Sequence, residues 1–309
     1  MTGIFILDKP EGFTSFDAVA VARRLFGQKK IGHTGTLDPM ATGVLPLLLG
    51  RATRAESLLP DTEKEYRASF ALGTRTGTGD ITGEAIARTD ARVSREQLFA
   101  VLPRFRGEIL QVPPMYSAVK KDGKRLYELA RKGIEVEREA RPVTIERLGL
   151  LRFDEEQQAG ELLVSCSKGT YIRALIEDLA AAAGTLGTMT ALRRTRACGF
   201  SLAEAVPLDE ARRLAETEDL SALVRPVEGL FAVYPAVTVS TAQAARFANG
   251  GALEKARTSL RGNPLADGER LRVLGPDGQF LGLAETAEGE LRVLRLFCEP
   301  SPGRKETQA

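Results

Sequence analysis

Segments that read as strands and segments that read as helices follow one another along this chain without the regular strand-helix-strand period of a doubly wound parallel sheet. Residues 3–7 read as a short buried strand, and 15–26 as a helix with Ser15 at its N-cap and Asp17 in its first turn. A turn over 9–12 joins them. After a glycine-rich run, 51–59 look helical as far as Pro60, 64–72 alternate as a strand does, and a Gly/Thr-rich loop covers 73–83. Further on, 94–102 suit a helix, 108–112 a strand, and 124–132 a basic helix that Gly133 ends. Residues 143–153 and 161–167 read as strands, 170–183 as a helix and 188–196 as a strand. This order predicts an α+β domain over 1–230 with a mixed, largely antiparallel sheet.

From about residue 234 the texture changes to short apolar strands separated by Asp267-Gly268, Asp277-Gly278 and Glu288-Gly289, each pair a turn signal. A small, mainly β module is expected over 234–298, with one helix at 242–248. The tail 299–309 holds two prolines, charges and little apolar surface, and reads as disordered.

A length of 309 residues and a hydrophobic fraction of 43% suffice for two cores. Lys plus Arg number 43 against 41 Asp plus Glu, so attraction for a polyanion has to come from local clustering. Cys166, Cys198 and Cys298 are odd in number and far apart, which suits reduced thiols of a cytoplasmic protein. His33 is the only histidine, so zinc-finger sets and catalytic triads are poor fits and no metal site is expected. Asp8 and Lys9 interrupt the N-terminal apolar residues, and no later apolar run approaches the ~18 residues that span a bilayer. A soluble, cytoplasmic protein is expected.

Residues 32–45, GHTGTLDPMATGVL, carry the most pointed chemistry. Asp38 is the only acid between Asp17 and Glu56, and there is no Lys or Arg from 32 to 50. A carboxylate in such surroundings is costly unless a partner from elsewhere pairs with it. Asp before Pro39 is by itself a common turn former. Gly32, Gly35 and Gly43 allow close approach of a ligand, and Thr34, Thr36 and Thr42 supply hydroxyls. Spacing alone names no reaction.

Six motifs do. LDKPEGFTSFDAV, GHTGTLDPMATGVLP, KEYRASFALGTRTGTGD, QVPPMYSAVKKDGKRLYELARKG, SKGTYIRAL and LRRTRACGFSL occur in this order across residues 7–202. Through them the chain resembles the bacterial tRNA pseudouridine-55 synthases. The resemblance implies a pseudouridine synthase catalytic domain, with an insertion at about 113–142 that grips the T loop, and a closing β module that binds RNA. It implies isomerisation of one uridine in the T loop of tRNA, without a cofactor, since the reaction is redox-neutral. It further implies a monomer that needs the tRNA T stem-loop but neither a membrane nor an obligatory protein partner.

The resemblance also assigns roles. Asp38 is carried over as the nucleophile, which attacks either the uracil ring or the sugar carbon. Arg173, in GTYIR, is the partner expected to hold it, and a cation at a helix start independently asks for a nearby anion. Tyr66 is expected against the target base and as the group that helps remove the ring proton. Tyr171 offers a second aromatic face, Leu192 an apolar wall, and His33 support for the rearranged loop. Lys9, Lys120, Lys121, Lys124, Arg125, Arg193, Arg194 and Arg196 are the phosphate-contact candidates. Asp80 is read as structural, ending the Gly-rich loop, with orientation of Tyr66 or Arg173 as the alternative. Two alternatives stand beside this reading: a guide-RNA-dependent pseudouridine synthase, and a non-catalytic RNA-folding role on the same scaffold.

Overall fold

The computed structural model describes residues 1–217, 219–262 and 265–299, so the expected disordered tail, apart from Glu299, lies outside the described residues. The frame is an 11-stranded sheet. Its principal strands are β1 (Gly3–Lys9), β2 (Thr42–Leu49), β3 (Lys64–Leu72), β4 (Gly107–Gln111), β5 (Arg141–Asp154), β6 (Ala159–Cys166) and β7 (Gly187–Ala197). They lie in the order β1-β2-β7-β3-β6-β5-β4, with Val206–Pro207 outside β1. Pairings are antiparallel except Val206–Pro207 with β1 and the short contact of β7 with β2. The sheet is therefore mixed and largely antiparallel, as expected.

Side-chain parity decides what covers each face. Tyr66, Ala68, Phe70 and Leu72 of β3 are buried on one face, where α1 (Ser15–Leu25) and α2 (Ile172–Ala182) pack with Phe5 and Leu7 of β1. The opposite face of β1 and β2, carrying Ile4, Ile6, Val44 and Leu48, is covered by Phe231 and by Leu283 and Phe297 of the C-terminal module. Phe297 lies 5.6 Å from Phe231 and 5.4 Å from Phe280, ring centre to ring centre. The module, a five-stranded sheet with the helix Thr241–Ala248, thus shares one apolar cluster with the larger domain.

Several local expectations need correction. Thr14, not Ser15, caps α1: its hydroxyl accepts from Asp17 N while the Asp17 carboxylate accepts from Thr14 N. Residues 51–59 are not α-helical but lie mostly in a 3-10 helix, Gly50–Leu58. The basic helix at 124–132 contracts to Leu126–Ala130, because Lys120–Lys121 and Lys124–Arg125 pair as a hairpin around Asp122 and Gly123. Both turn residues have positive φ, 50° and 79°, as a tight hairpin turn demands. The loop at 73–83 contains a strand, Thr74–Thr76, paired with Ala85–Arg88. The glycine-rich run itself holds the strand Ile31–His33 and opens β2.

Among the described residues no helix is long and apolar enough to cross a membrane, and no group of three or more His, Cys, Asp or Glu could hold a metal ion. All three cysteines are free thiols.

Candidate active site

The segment between Ile31–His33 and β2 is held to the body of the protein at three points. Ser15, buried, accepts from Leu37 N at 2.8 Å and reaches Leu37 O at 3.2 Å. Lys9 is fully buried, and its ammonium donates to the carbonyls of Phe13 (2.6 Å), Pro10 (2.8 Å) and Pro39 (3.4 Å). Arg194, also fully buried, donates from Nε to Val44 O at 2.7 Å and from its terminal nitrogens to Gly35 O at 3.2 Å and Thr36 O at 3.5 Å. Lys9 and Arg194 are therefore not phosphate contacts; they are internal cations that fasten the Asp38 loop by its backbone. Burial pushes the Lys9 ammonium down to about 8, against the attraction of Asp38.

Gly43 has a different reason from the one its sequence context suggests. Its φ is +105°, and a Cβ there would lie 2.2 Å from Arg194 O. The missing side chain admits a neighbouring strand, since β7 meets β2 only at Arg193 with Thr42 and Arg194 with Gly43. Asp38 is thereby placed beside that junction, with its carbonyl accepting from Ala41 N at 3.0 Å and Pro39 O accepting from Gly12 N at 2.9 Å.

Arg173 supplies the charge that the loop lacks. Nε lies 3.0 Å from Asp38 Oδ2, and Nη2 lies 3.4 Å from Oδ1. Nη1 also donates to Thr78 O at 2.8 Å and Nη2 to Tyr116 O at 2.9 Å, which ties the 113–142 segment to the same guanidinium. Asp80 Oδ2 stands 3.9 Å from Nε, while Asp80 Oδ1 accepts from Thr78 Oγ1 at 2.8 Å and Thr82 N at 3.0 Å. Asp80 thus both closes its own loop and faces Arg173. Arg173 is 5% exposed, whereas a third of the Asp38 side chain remains open. Burial raises the Asp38 carboxyl above its ordinary value; Arg173 opposes that rise and Asp80 adds to it.

Tyr66 is buried, although Lys64, Glu65 and Arg67 surround it in the sequence. It sits between Val164 of β6 and Arg194 of β7. Burial pushes its phenol up to about 12, only partly offset by the positive charge of the Arg194 guanidinium. Leu192, also buried, pairs with Ala68 on the same face. Tyr171 is half-buried just before α2, its backbone clamped by Gln111, which accepts from Tyr171 N at 2.7 Å and donates to Tyr171 O at 3.1 Å. His33 accepts at Nδ1 from Gly35 N at 3.2 Å; burial and Arg194 depress its pKa, which favours the neutral imidazole.

The remaining basic candidates divide by exposure. Arg193 is half-exposed and paired with Asp8 at 2.8 Å and Thr42 Oγ1 at 3.2 Å. Lys120, Lys121, Lys124, Arg125 and Arg196 are exposed, Lys121 donating to Glu137 O at 2.5 Å. A cleft of about 560 Å³ opens beside the loop, lined by Met40, Thr42, Leu192, Arg193, Arg67 and Glu11 among others. It reaches the flank of the loop but not the Asp38 carboxylate or Tyr66.

The structure thus brings Asp38, Arg173 and Asp80 into one charged cluster and leaves the hairpin basic residues at the surface. The anchoring roles of Ser15, Lys9 and Arg194 are absent from the sequence reading.

Comparisons with known proteins agree along the chain. Residues 23–172 match the N-terminal domain of the TruB family pseudouridylate synthases, 173–232 the tRNA pseudouridylate synthase B C-terminal domain, and 235–297 the C-terminal region of pseudouridine synthase II TruB. The chain is 47% identical over 296 residues to the tRNA pseudouridine synthase B of Azoarcus sp., covering 96% of this chain and 95% of that protein. It is 44% identical over 296 residues to the tRNA pseudouridine synthase B of Burkholderia mallei, covering 96% and 97%. Among solved structures, one from a Cbf5-Nop10-Gar1 complex superposes with a TM-score of 0.72 at 25% identity, over 96% of this chain and 85% of that one. By sequence and by fold, the chain belongs to the TruB family of pseudouridine synthases.

Proposed function

We propose that this protein is an isomerase that converts uridine to pseudouridine at position 55 in the T loop of tRNA, with Asp38 as nucleophile toward a flipped-out base. The observation that carries the reading is the Asp38–Arg173 pair, 3.0 Å apart, at the centre of a chain 47% identical to a tRNA pseudouridine synthase B. The glycosidic C–N bond breaks, the base turns, a C–C bond to the same sugar carbon forms, the bond made by the Asp38 carboxylate is released, and the proton given up by the ring carbon is matched by one gained at the freed ring nitrogen. Atoms and electrons balance within the nucleotide, so the reaction consumes nothing. Arg173 favours the ionised carboxylate that such an attack needs, against the burial that opposes it.

Tyr66 and Leu192 supply the faces against which the base rests, with Tyr171 at the entrance, and His33 supports the loop from which the nucleotide has left. At neutral pH Tyr66 is a protonated phenol and acts as ring and hydrogen-bond donor; removal of the ring proton through it requires the scarce phenolate. Lys121, Lys120, Lys124, Arg125 and Arg196, with half-exposed Arg193, offer phosphate contacts, and the C-terminal module adds RNA-binding surface. The enzyme acts as a cytoplasmic monomer without a cofactor, a guide RNA or a protein partner.

Incubation of the purified chain with unmodified tRNA, followed by pseudouridine mapping, tests this together with Asp38→Asn. The wild type should modify position 55 unaided and the variant should bind tRNA without modifying it. Likeness to a chain from a Cbf5-Nop10-Gar1 complex keeps the guide-dependent alternative in view. Product formed only when a guide RNA and partner proteins are added would favour it. A tRNA-folding effect that survives Asp38→Asn would mark a second, non-catalytic activity.

A further inference from the structure

Lys64 is a half-buried lysine beside the catalytic loop that the chemistry above does not use. It opens β3, two residues before Tyr66, and alternation puts both side chains on the same face about 6.6 Å apart. Its ammonium has a protein acceptor in Thr62 O at 3.2 Å. A Cβ built on Gly35 would lie 3.8 Å from Lys64 Nζ and 3.8 Å from an Arg194 terminal nitrogen, so two cations converge on the same point of the loop.

Neither Lys64 nor Arg194 forms an ion pair with a carboxylate among the described residues. Burial, Arg194 and Lys168 all push the Lys64 ammonium toward its neutral form. Two like charges drawn out of water with no countercharge are expensive; carbonyl oxygens offset part of the cost, and a bound anion would keep both groups charged. The exposed lysines of the 120–125 hairpin carry no such cost, being solvated and screened.

The face shared with Tyr66 indicates which anion. A base lying against Tyr66 brings with it the phosphates on either side of its own sugar, and Lys64 stands one strand repeat away. We propose that Lys64 binds a phosphodiester flanking the extruded uridine, with Arg194 behind it as a fixed second positive charge. The inference rests on the tRNA reading above and deepens it: the enzyme would grip the target nucleotide by its backbone at a position independent of sequence.

The test measures affinity of the full-length protein for an unmodified T stem-loop as a function of salt, for wild type and Lys64→Met. It is repeated with a neutral methylphosphonate at each phosphate flanking position 55. One methylphosphonate should weaken wild-type binding roughly tenfold and leave Lys64→Met unaffected. Lys64→Met should also reduce the salt slope by about 0.7 while melting no lower than wild type. A variant with the wild-type slope and the wild-type response to methylphosphonate would overturn the proposal. Should Lys64→Met fail to fold, the wild-type scan decides alone: loss at one flanking phosphate sustains the proposal, and loss at neither sinks it. Wild type that makes no pseudouridine from the same stem-loop would instead sink the functional reading, and this inference with it.

Discussion

Arg173 meets Asp38 side-on, with Nε 3.0 Å from one carboxylate oxygen and Nη2 3.4 Å from the other. The same guanidinium donates to the carbonyls of Thr78 and Tyr116, so one planar fork joins three loops that are far apart in the chain. A lysine carries the charge but cannot span these acceptors. Arg173→Lys is expected to bind tRNA nearly as well as wild type and to lose about 100-fold in single-turnover isomerisation, the cost of a nucleophile misplaced by about 1 Å. Full single-turnover activity in this variant would show that charge alone suffices.

The raised pKa of Asp38 has consequences of opposite sign for activity and stability. Its carboxyl keeps the proton to a higher pH than the ordinary 3.8, so the acid limb of the single-turnover rate should lie above that value. Asp80 contributes to the rise, and Asp80→Asn should move the limb to lower pH. In the interval above the unfolded pKa the native state binds more protons than the unfolded one, so stability falls as pH rises through it. Ionised Asp38 is then a burden at neutral pH. Asp38→Asn should melt above wild type at pH 7, with the gap closing as pH drops into the carboxylate range; thermal melts across pH check the sign directly.

What could be read from the chain follows from which residues announce a missing partner. Asp38 in a run without a cation and Arg173 at a helix start are each incomplete alone, and the structure places them together. The strand Lys64–Leu72 is legible to the residue because its alternation is clean. β2 is not, since nearly all its residues are buried and Pro46 interrupts the pattern. Lys9 and Arg194 mislead for a physical reason: basic residues are normally solvated, and only the carbonyl cages supplied by distant segments turn these two inward.

The parallel meeting of β2 and β7 depends on a single missing methyl group. At Gly43 a side chain would collide with the Arg194 carbonyl at 2.2 Å and would also demand a φ of +105° from a residue with a Cβ. Neither backbone can retreat easily, because Arg194 Nε is bonded to Val44 O next to the collision. Gly43→Ala should cost about 3 kcal/mol or more in urea unfolding. Gly12→Ala, also at positive φ but with nothing within 4 Å of its Cβ, should cost less, about 1 kcal/mol. Equal losses would remove the steric account.

The C-terminal module covers a face of the catalytic sheet that cannot stand in water alone. Ile4, Ile6, Val44 and Leu48 share a cluster with Phe231, Leu283 and Phe297. Ending the chain after Tyr234 would expose this patch, and the product should aggregate or lose several degrees in melting temperature even before RNA affinity is considered. A shortened chain that stayed monomeric at the wild-type melting temperature would show the shared cluster to be dispensable.

Tyr66 separates two contributions that the sequence could not. Its phenol, pushed up to about 12, does not ionise across the neutral range, so the wild-type rate should show no step from this group between pH 7 and 10. Tyr66→Phe keeps the ring between Val164 and Arg194 and removes only the hydroxyl. It should retain tRNA affinity, whereas Tyr66→Ala should weaken it by about 1–3 kcal/mol through lost stacking. If Tyr66→Phe isomerises at the wild-type single-turnover rate, the hydroxyl takes no part in moving the ring proton and Tyr66 acts as a stacking face; a rate collapse with affinity intact assigns the hydroxyl to the chemistry.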